Sequence, residues 1–486
     1  MGVLPTISFD SWYLILWSLF GVLMHLAALG LIVHVLMRGR SPQGTIAWII
    51  ALALWPTIFV WLYLLVGFRK FHGYTHARRV GREPINALGA SLRERAESGG
   101  LVVRPADPDL HTISDLARLP AIAGNSSRLL IDGQATFDSL MTGIAAARCS
   151  VVVQFYIIRD DSIGRRLSET LCERARAGVH CLLLYDEIGS YQLPRSWLDH
   201  LATAGVKIAA FNTRRGRLLN RLRVNFRNHR KIVVVDGREA WTGGLNIGDE
   251  YAGRSSLGPW RDTHLHISGP AALACQLSFA EDWYFATGTV PGLAWDMDVF
   301  DPDAGDEMLV IPTGPADTFD TALLLYLQVI AHARERLWIA SPYFVPDSAI
   351  TAALQLAALR GVDVRILLPA NPDHLLIWLA SHSFLEELCT AGVRFFRYRN
   401  GFMHQKVALI DDRFSLVGTA NLDNRSLRIN FEITICRYDP ASVAATEAML
   451  AEDLTRCYEI DASAYHDRGF PFRLAARAAS LCAPLL

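Results

Sequence analysis

The chain has 486 residues, with 47 basic and 48 acidic side chains, 51% hydrophobic residues and 20% charged ones. A composition this apolar and this evenly charged excludes disorder as a whole-chain description, and it excludes a collagenous or low-complexity protein. The length suits about two or three domains at roughly 150 residues each, and the positive mean hydropathy points to an apolar excess concentrated in one part of the chain.

That excess lies at the N-terminus. Residues 12–37 contain no Asp, Glu, Lys or Arg, and as a helix they would extend about 39 Å, enough to cross a bilayer. A second uncharged run, residues 45–68, follows the short stretch 38–44, with Pro56 as an expected kink. The two runs are expected to form a membrane hairpin, spans about 12–37 and 45–68, because neither shows the polar stripe of a core-facing helix. Trp12, Tyr13, Trp61 and Tyr63 fall towards the ends of the runs, where amphipathic rings suit the headgroup layer. A cleaved signal peptide fits poorly: no basic residue precedes residue 12 and the apolar run is too long. Arg69, Lys70, Arg78, Arg79 and Arg82 follow the second run, whereas the turn holds only Arg38 and Arg40. The positive-inside bias therefore places the downstream part in the cytoplasm. His25 and His34, inside the first run, are expected to bond a neighbouring helix rather than to serve chemistry.

The eight cysteines show no CxxC and no Cys/His cluster of zinc spacing, so they read as buried thiols of a reducing compartment. Beyond about residue 100 the pattern becomes α/β. Apolar, β-branched strands are expected at 151–157, 181–186, 207–212 and 231–236, separated by helical stretches. The order recurs at 336–344, 364–369, 393–399 and 406–411, and LATAGVK at 201–207 matches LCTAGVR at 388–394. This is an internal duplication. The first copy carries an insertion of 12 residues, seen as the difference between a repeat offset of 187 and one of 175. The insertion falls in the basic stretch 214–231, with eight Arg or Lys and no acid. Clustered guanidinium groups suit phosphate or lipid headgroups; nucleic acid would be drawn to the same charge, and a solvated loop is the plain alternative.

The strongest signal is a motif that occurs twice. His229, Lys231 and Asp236 are followed by Gly243 and Asn246; His404, Lys406 and Asp411 are followed by Gly418 and Asn421, with every interval identical. Residues two apart in an extended strand point the same way, so each His shares a surface with its Lys. If the copies pack about a pseudo-two-fold axis, two His and two Lys converge on one pocket. Such a pocket suits a phosphodiester, with lysines offsetting its charge and Asn246 and Asn421 donating to non-bridging oxygens. One histidine would attack phosphorus while the other protonates the leaving alkoxide and later deprotonates the incoming hydroxyl. The scheme demands no metal. Asp262 and Glu432 are the candidates to orient the imidazoles, whereas Asp236 and Asp411, at the far strand ends, are expected to close turns.

At these residues the chain resembles the phospholipase D superfamily, whose hallmark is the duplicated His-Lys-Asp motif, and within it the bacterial cardiolipin synthases. The resemblance rests on GTIAWII, YLLVGFRK, FYIIRDDSIG, NFRNHRKIVVVDG, TGGLNIGDEY, WRDTHLHISGP, ASPYFVPD, MHQKVALIDD and GTANLDNRSLRINFE, and it runs to the terminal APLL. It implies two phospholipase D-like domains related by pseudo-two-fold symmetry, each a central β-sheet flanked by helices, behind the N-terminal transmembrane hairpin. The implied activity is transfer of a phosphatidyl group from one phosphatidylglycerol to another, releasing glycerol, through a phosphohistidine and without a cofactor. His229, Lys231, Asp236, His404, Lys406 and Asp411 carry over as active-site positions, with His229 as the nucleophile by analogy. Met403 and Gln405 stand where relatives often have Leu and Ala. The implied partners are phosphatidylglycerol and an anionic membrane, with no nucleic acid expected, at the inner cell membrane. The expected division is 1–70 membrane hairpin, 71–105 basic linker, 106–300 first domain and 301–486 second domain. A phospholipase D of the same fold and a non-catalytic lipid-binding scaffold are the rival readings; two intact motifs argue against the scaffold. Residues 470–486, with Arg473 and Arg477 among apolar side chains, would either lie on a membrane surface or pack on the core.

Overall fold

The computed structural model describes residues 9–37, 42–67, 82–211, 226–303 and 305–483. Residues 214–225 of the basic stretch, the flanking Arg38, Arg40, Arg69, Lys70, Arg78 and Arg79, and the last three residues lie outside this range. The chain divides into two units, Met1–Arg69 with Thr213–Asn225, and Lys70–Asn212 with Phe226–Leu486.

In the first unit, helix Phe9–Leu36 packs against helices Pro42–Leu54 and Pro56–Val66 around Met24, Ala28, Leu52, Val60 and Tyr63. Among the described residues, the segment Trp12–Leu36 is long and apolar enough to cross a membrane. The second apolar run is not one helix. Pro56 has no N–H to continue the ladder, and the chain leaves the helical region at Trp55, so the run forms helices of 13 and 11 residues. Trp12, Tyr13 and Trp61 are exposed as expected of interfacial rings, but Tyr63 is fully buried. Its hydroxyl lies 2.9 Å from His34 Nδ1, and His25 Nδ1 lies 2.7 Å from the Gly21 carbonyl. His34 thus bonds a neighbouring helix as expected, whereas His25 bonds back to its own helix.

In the second unit the strands of the first half are β1 (Val102–Val103), β2 (Ala121–Ile131), β3 (Ser150–Phe155), β4 (His180–Asp186), β5 (Lys207–Phe211), β6 (Ile232–Val235), β7 (Glu239–Gly243), β8 (Trp260–Arg261) and β9 (Thr263–Ser268). Those of the second half are β10 (Asp306–Thr313), β11 (Arg336–Ala340), β12 (Phe344–Val345), β13 (Asp363–Pro369), β14 (Arg394–Tyr398), β15 (Phe402–Met403), β16 (Val407–Ile410), β17 (Phe414–Gly418), β18 (Leu422–Asp423), β19 (Glu432–Arg437) and β20 (Cys457–Ile460). All eight strands expected from the sequence are present. Among the described residues, 16 strands join one sheet in the order β20-β14-β13-β11-β16-β17-β19-β10-β2-β9-β7-β6-β3-β4-β5, with β1 beside β2.

Apart from β20, an added edge strand antiparallel to β14, the order is symmetric about the central antiparallel pair β2–β10. Outward from it, each half runs through three antiparallel strands before turning parallel, β3–β4–β5 in the first and β11–β13–β14 in the second. Parallel neighbours need crossover connections, supplied in the first half by helices Ser162–Arg176 and Arg195–Thr203 and in the second by Ser348–Leu359 and Leu385–Thr390. Each half has its own apolar core, one including Val151, Val153, Leu167 and Leu183, the other Ile339, Leu354, Ile366 and Ala408. Helices Ala271–Thr287 and Pro440–Thr455 follow β9 and β19 respectively as another symmetric pair. All eight cysteines are free; Cys172, Cys181, Cys275 and Cys436 are buried as expected, whereas Cys389, Cys457 and Cys482 are half-buried and Cys149 is exposed.

Candidate active site

Neither histidine of the duplicated motif sits inside the regular ladder. His229 and Lys231 precede β6, and His404 and Lys406 occupy the gap between β15 and β16. Each segment docks on the other half. The His229 N–H donates to the Phe431 carbonyl at 2.9 Å, beside an isolated bridge between Asn228 and Phe431. The His404 N–H donates to the Arg261 carbonyl at 2.8 Å, extending the parallel pairing of β15 with β8.

These anchors explain where the carboxylates fall. The residue after Phe431 is Glu432, and its carboxylate receives His229 Nδ1 at 2.9 and 3.0 Å. The residue after Arg261 is Asp262, whose Oδ2 lies 2.7 Å from His404 Nδ1. The sequence nominated both acids; the structure pairs each with the histidine of the opposite copy. In each case the remote nitrogen is occupied and Nε2 is left for the reacting centre.

The two pairs are not equivalent. Thr419 Oγ1 donates to Glu432 Oε2 at 2.6 Å, and Asn430 Nδ2 approaches Oε1 at 3.2 Å. At the position matching Thr419 the first copy has Gly244, where a Cβ would meet Asp262 Oδ1 at 1.9 Å. Glycine is required there for close approach, and the Thr263 N–H takes the threonine's place as donor, at 2.7 Å.

Lys231 and Lys406 are buried. Lys231 Nζ donates to the His229 carbonyl at 2.8 Å, and Lys406 Nζ donates to the His404 carbonyl and stands 3.0 Å from His404 Nδ1. Burial pushes Lys231 down to about 7 and Lys406 to about 8, with Glu432 and Asp262 working the other way. It also lowers His229 to about 4 and His404 well below its usual range, helped by the lysines of both halves. Burial raises Asp262 to about 6, whereas Glu432 is held below its usual value because its partnership with His229, the charge on Lys231 and the hydrogen bond from Thr419 outweigh its burial. The centre therefore holds two imidazoles shifted towards the neutral form, one backed by a carboxylate shifted towards its ionised form and the other by one shifted away from it.

Asp236 and Asp411, carried over from the family motif, take no part in this centre. Both adopt the left-handed conformation, at φ 53° and 51°. Asp236 accepts from the amides of Arg148, Cys149 and Ser150, and Asp411 from those of Arg334, Glu335 and Arg336. Each fixes the start of the neighbouring strand, β3 or β11, as the turn-closing expectation holds. The asparagines are more committed than expected. Asn246 accepts from the Ile157 N–H and donates to Tyr251 Oη, and Asn421 donates to Asp423. One amide proton of each is thus already spent.

Sequence reasoning missed the walls of the pocket. The Tyr156 ring meets His229 edge-on at 5.2 Å, and Trp260, Tyr251 and Phe402 surround His404 at 5.0, 5.7 and 6.0 Å. It also missed the support behind the motifs. Asp453 takes a two-point contact from Arg261 at 2.6 and 2.8 Å and a bond from Gln405 Nε2 at 2.8 Å, while Gln405 Oε1 accepts from Thr263. Gln405, read as a minor departure beside His404, thus joins the two halves. On the matching helix, Asp282 accepts from Arg230, Asn228 and Gln154 at 2.7–2.9 Å. The only sequence signal for this support was the polar residue beside each histidine.

A family model described as cardiolipin synthase, PLD-like domain, matches residues 140–256 and 326–454. The chain is 46% identical over 468 residues to cardiolipin synthase A of Pseudomonas entomophila (strain L48), covering 96% of this chain and 97% of that one. It has the same identity and coverage to cardiolipin synthase A of Pseudomonas putida (strain KT2440). Among solved structures, phosphatidylserine synthase of Haemophilus influenzae Rd KW20 superposes with a TM-score of 0.59 at 15% identity, over 78% of this chain and 100% of that one, a likeness of fold.

Proposed function

The chain belongs to the cardiolipin synthase family of the phospholipase D superfamily, and from that premise we propose how its paired histidines join two phospholipids. It is a phosphatidyltransferase, and phosphatidylglycerol serves as both donor and acceptor. The donor's phosphodiester enters between the lysines, whose charge it restores by its own negative charge. His229 Nε2 attacks phosphorus, the bond from phosphorus to the headgroup glycerol breaks, and His404, protonated as the anion enters, gives its proton to the departing alkoxide. Free glycerol leaves. A hydroxyl of the second phosphatidylglycerol then passes its proton to His404 and attacks phosphorus; the phosphorus–His229 bond breaks, and cardiolipin departs.

One observation carries the assignment of His229 as nucleophile: both oxygens of Glu432 meet its Nδ1, and of the two carboxylates Glu432 is the one shifted towards its ionised form. A phosphorylated imidazole carries positive charge, which an ionised carboxylate stabilises. Asp262, pushed up to about 6, is the weaker counterion and suits the histidine that must give its proton away. Asp236 and Asp411 act as structural members of the motif, and the remaining amide protons of Asn246 and Asn421 face the phosphate oxygens.

The apolar helices anchor the enzyme as a hairpin over 1–70, and the basic residues from 69 to 82 favour catalytic domains, about 106–300 and 301–486, on the cytoplasmic side of the inner membrane. Residues 71–105 link the two parts. The test is to reconstitute the purified chain in phosphatidylglycerol vesicles and follow products by mass spectrometry. Cardiolipin with equimolar glycerol is expected; phosphatidic acid alone would assign water as the acceptor and overturn the transferase reading.

A further inference from the structure

Behind the His229 segment lies an open cavity of about 430 Å³ between helices Arg82–Ser98 and Ala271–Thr287. Its size falls within the range of small-molecule sites, roughly 300–1,000 Å³. Leu92, Leu116 and Leu277 supply apolar walls, and Arg230 and Phe431 form its back. Those last two are the chain neighbours of His229 and Glu432. Arg230 Nε also donates to the Glu432 carbonyl at 3.0 Å, so the cavity and the catalytic pair share one piece of backbone.

Two polar features distinguish this space from a packing defect. Ser278 lines it and is buried, yet its hydroxyl has no hydrogen-bond partner. A buried hydroxyl without a partner is costly, and a ligand acceptor relieves that cost. Arg93 and Arg118 line the same cavity and are exposed. Glu281 and Asp317 line it too, but Asp317 is engaged by the Gly314 N–H at 2.9 Å. An apolar interior, one unpaired hydroxyl and guanidinium groups at the rim match an acylglycerol with a phosphate head.

We propose that this cavity binds one acyl chain of a glycerophospholipid, with the ester carbonyl at Ser278 and the phosphate towards Arg93 and Arg118. The proposal rests on the phospholipid reading of the two-histidine centre. Because the donor's phosphate lies between the lysines, the chain comes either from the acceptor phosphatidylglycerol, the other substrate, or from a second lipid outside the reaction. A bound chain presses on Phe431 and Arg230, and through them on the His229–Glu432 pair.

The full chain in phosphatidylcholine vesicles is irradiated with phosphatidylglycerol bearing a diazirine on one acyl chain, and adducts are mapped by mass spectrometry. Adducts on peptides from helices Arg82–Ser98 and Ala271–Thr287 are expected. A Cβ at Gly89 would lie 3.7 Å from Leu277 Cδ2, so Gly89→Leu fills the cavity and should cut labelling about fivefold or more. Arg93→Glu, on the exposed rim, should cut it too and covers the case in which Gly89→Leu misfolds. A rise of about fivefold in KM for phosphatidylglycerol with kcat kept in Gly89→Leu assigns the cavity to the substrate's own chain. Labelling lost with both constants unchanged assigns it to a second lipid. Adducts absent from both helices, or undiminished in folded Gly89→Leu and in Arg93→Glu, overturn the proposal. Cardiolipin formation by the wild-type chain is scored in the same vesicles, so failure of the catalytic reading is seen separately.

Discussion

His229 and Glu432 are 203 residues apart in the chain, yet His229 Nδ1 lies 2.9 Å from Glu432 Oε2, a contact between opposite copies of the duplicated unit. Neither half can therefore assemble a complete histidine–carboxylate pair alone. Glu432→Gln keeps the size and a hydrogen-bonding oxygen but removes the charge that stabilises a phosphorylated imidazole. It should lower kcat by about 10²–10⁴-fold, the scale seen when a carboxylate behind a catalytic histidine is neutralised. Steady-state cardiolipin formation measures this. Activity within a fewfold of wild type would show that the charge of Glu432 is not used.

That crossed arrangement was only half legible. Spacing alone singled out His229, Lys231, His404 and Lys406, and the region around each copy nominated Asp262 and Glu432. Which acid meets which histidine depends on Phe431 and Arg261 receiving the two histidine amides. Such backbone pairings between copies leave no local pattern. The apolar strands β3, β4, β6, β11, β13 and β16 were read directly because they are buried on both faces. The central seam was not: β2 reads Ala-Ile-Ala-Gly-Asn-Ser-Ser-Arg-Leu-Leu-Ile, with polar residues at its middle and partly exposed positions. Tyr156 and Trp260 look like ordinary strand aromatics until the fold brings them against the imidazoles.

The lysines give the centre a pH dependence whose sign follows from burial. Lowered to about 7 and about 8, Lys231 and Lys406 are charged below these values in the free enzyme and lose the charge as pH rises through them. His229, lowered to about 4, is already neutral across this window. Hence kcat/KM for phosphatidylglycerol should fall between about pH 7 and pH 9, while kcat falls less because bound phosphate restores the ammonium form. Initial rates at several substrate densities across that range test it. A kcat/KM that is flat or rising would contradict the assignment of the lysines to the phosphate.

Asp453 and Asp282 hold the same relation to the two histidine segments from matching helices. Asp453 is the anchor for Arg261, whose carbonyl fixes His404, and for Gln405. Removing one partner of a buried ion pair costs about 3–5 kcal/mol, so Asp453→Ala should lower the thermal midpoint substantially. Gln405→Ala removes one hydrogen bond to the Asp453 carboxylate, worth about 1.5–3 kcal/mol, and one neutral bond from Thr263, worth about 1 kcal/mol, but leaves the Arg261–Asp453 contact in place. It should fold normally yet lower kcat several-fold, because Thr263 and the backbone around Asp262 lose one tie to the second half. Calorimetry paired with kinetics separates the two variants. Equal destabilisation by both would mean that the guanidinium contact adds nothing.

The division of labour between the histidines predicts different responses to the leaving group. A glycerol alkoxide needs a proton as it departs, whereas a nitrophenolate does not. On phosphatidyl-p-nitrophenol, His404→Ala should therefore still release one equivalent of nitrophenolate per enzyme in a burst, and should accumulate a phosphatidyl adduct on His229 because the acceptor hydroxyl has lost its base. His229→Ala should give neither burst nor adduct with any leaving group, since no nucleophile remains. Stopped-flow absorbance with mass spectrometry of the quenched protein distinguishes these outcomes. A burst in His229→Ala with none in His404→Ala would reverse the roles, making the histidine backed by Asp262 the one that carries phosphorus.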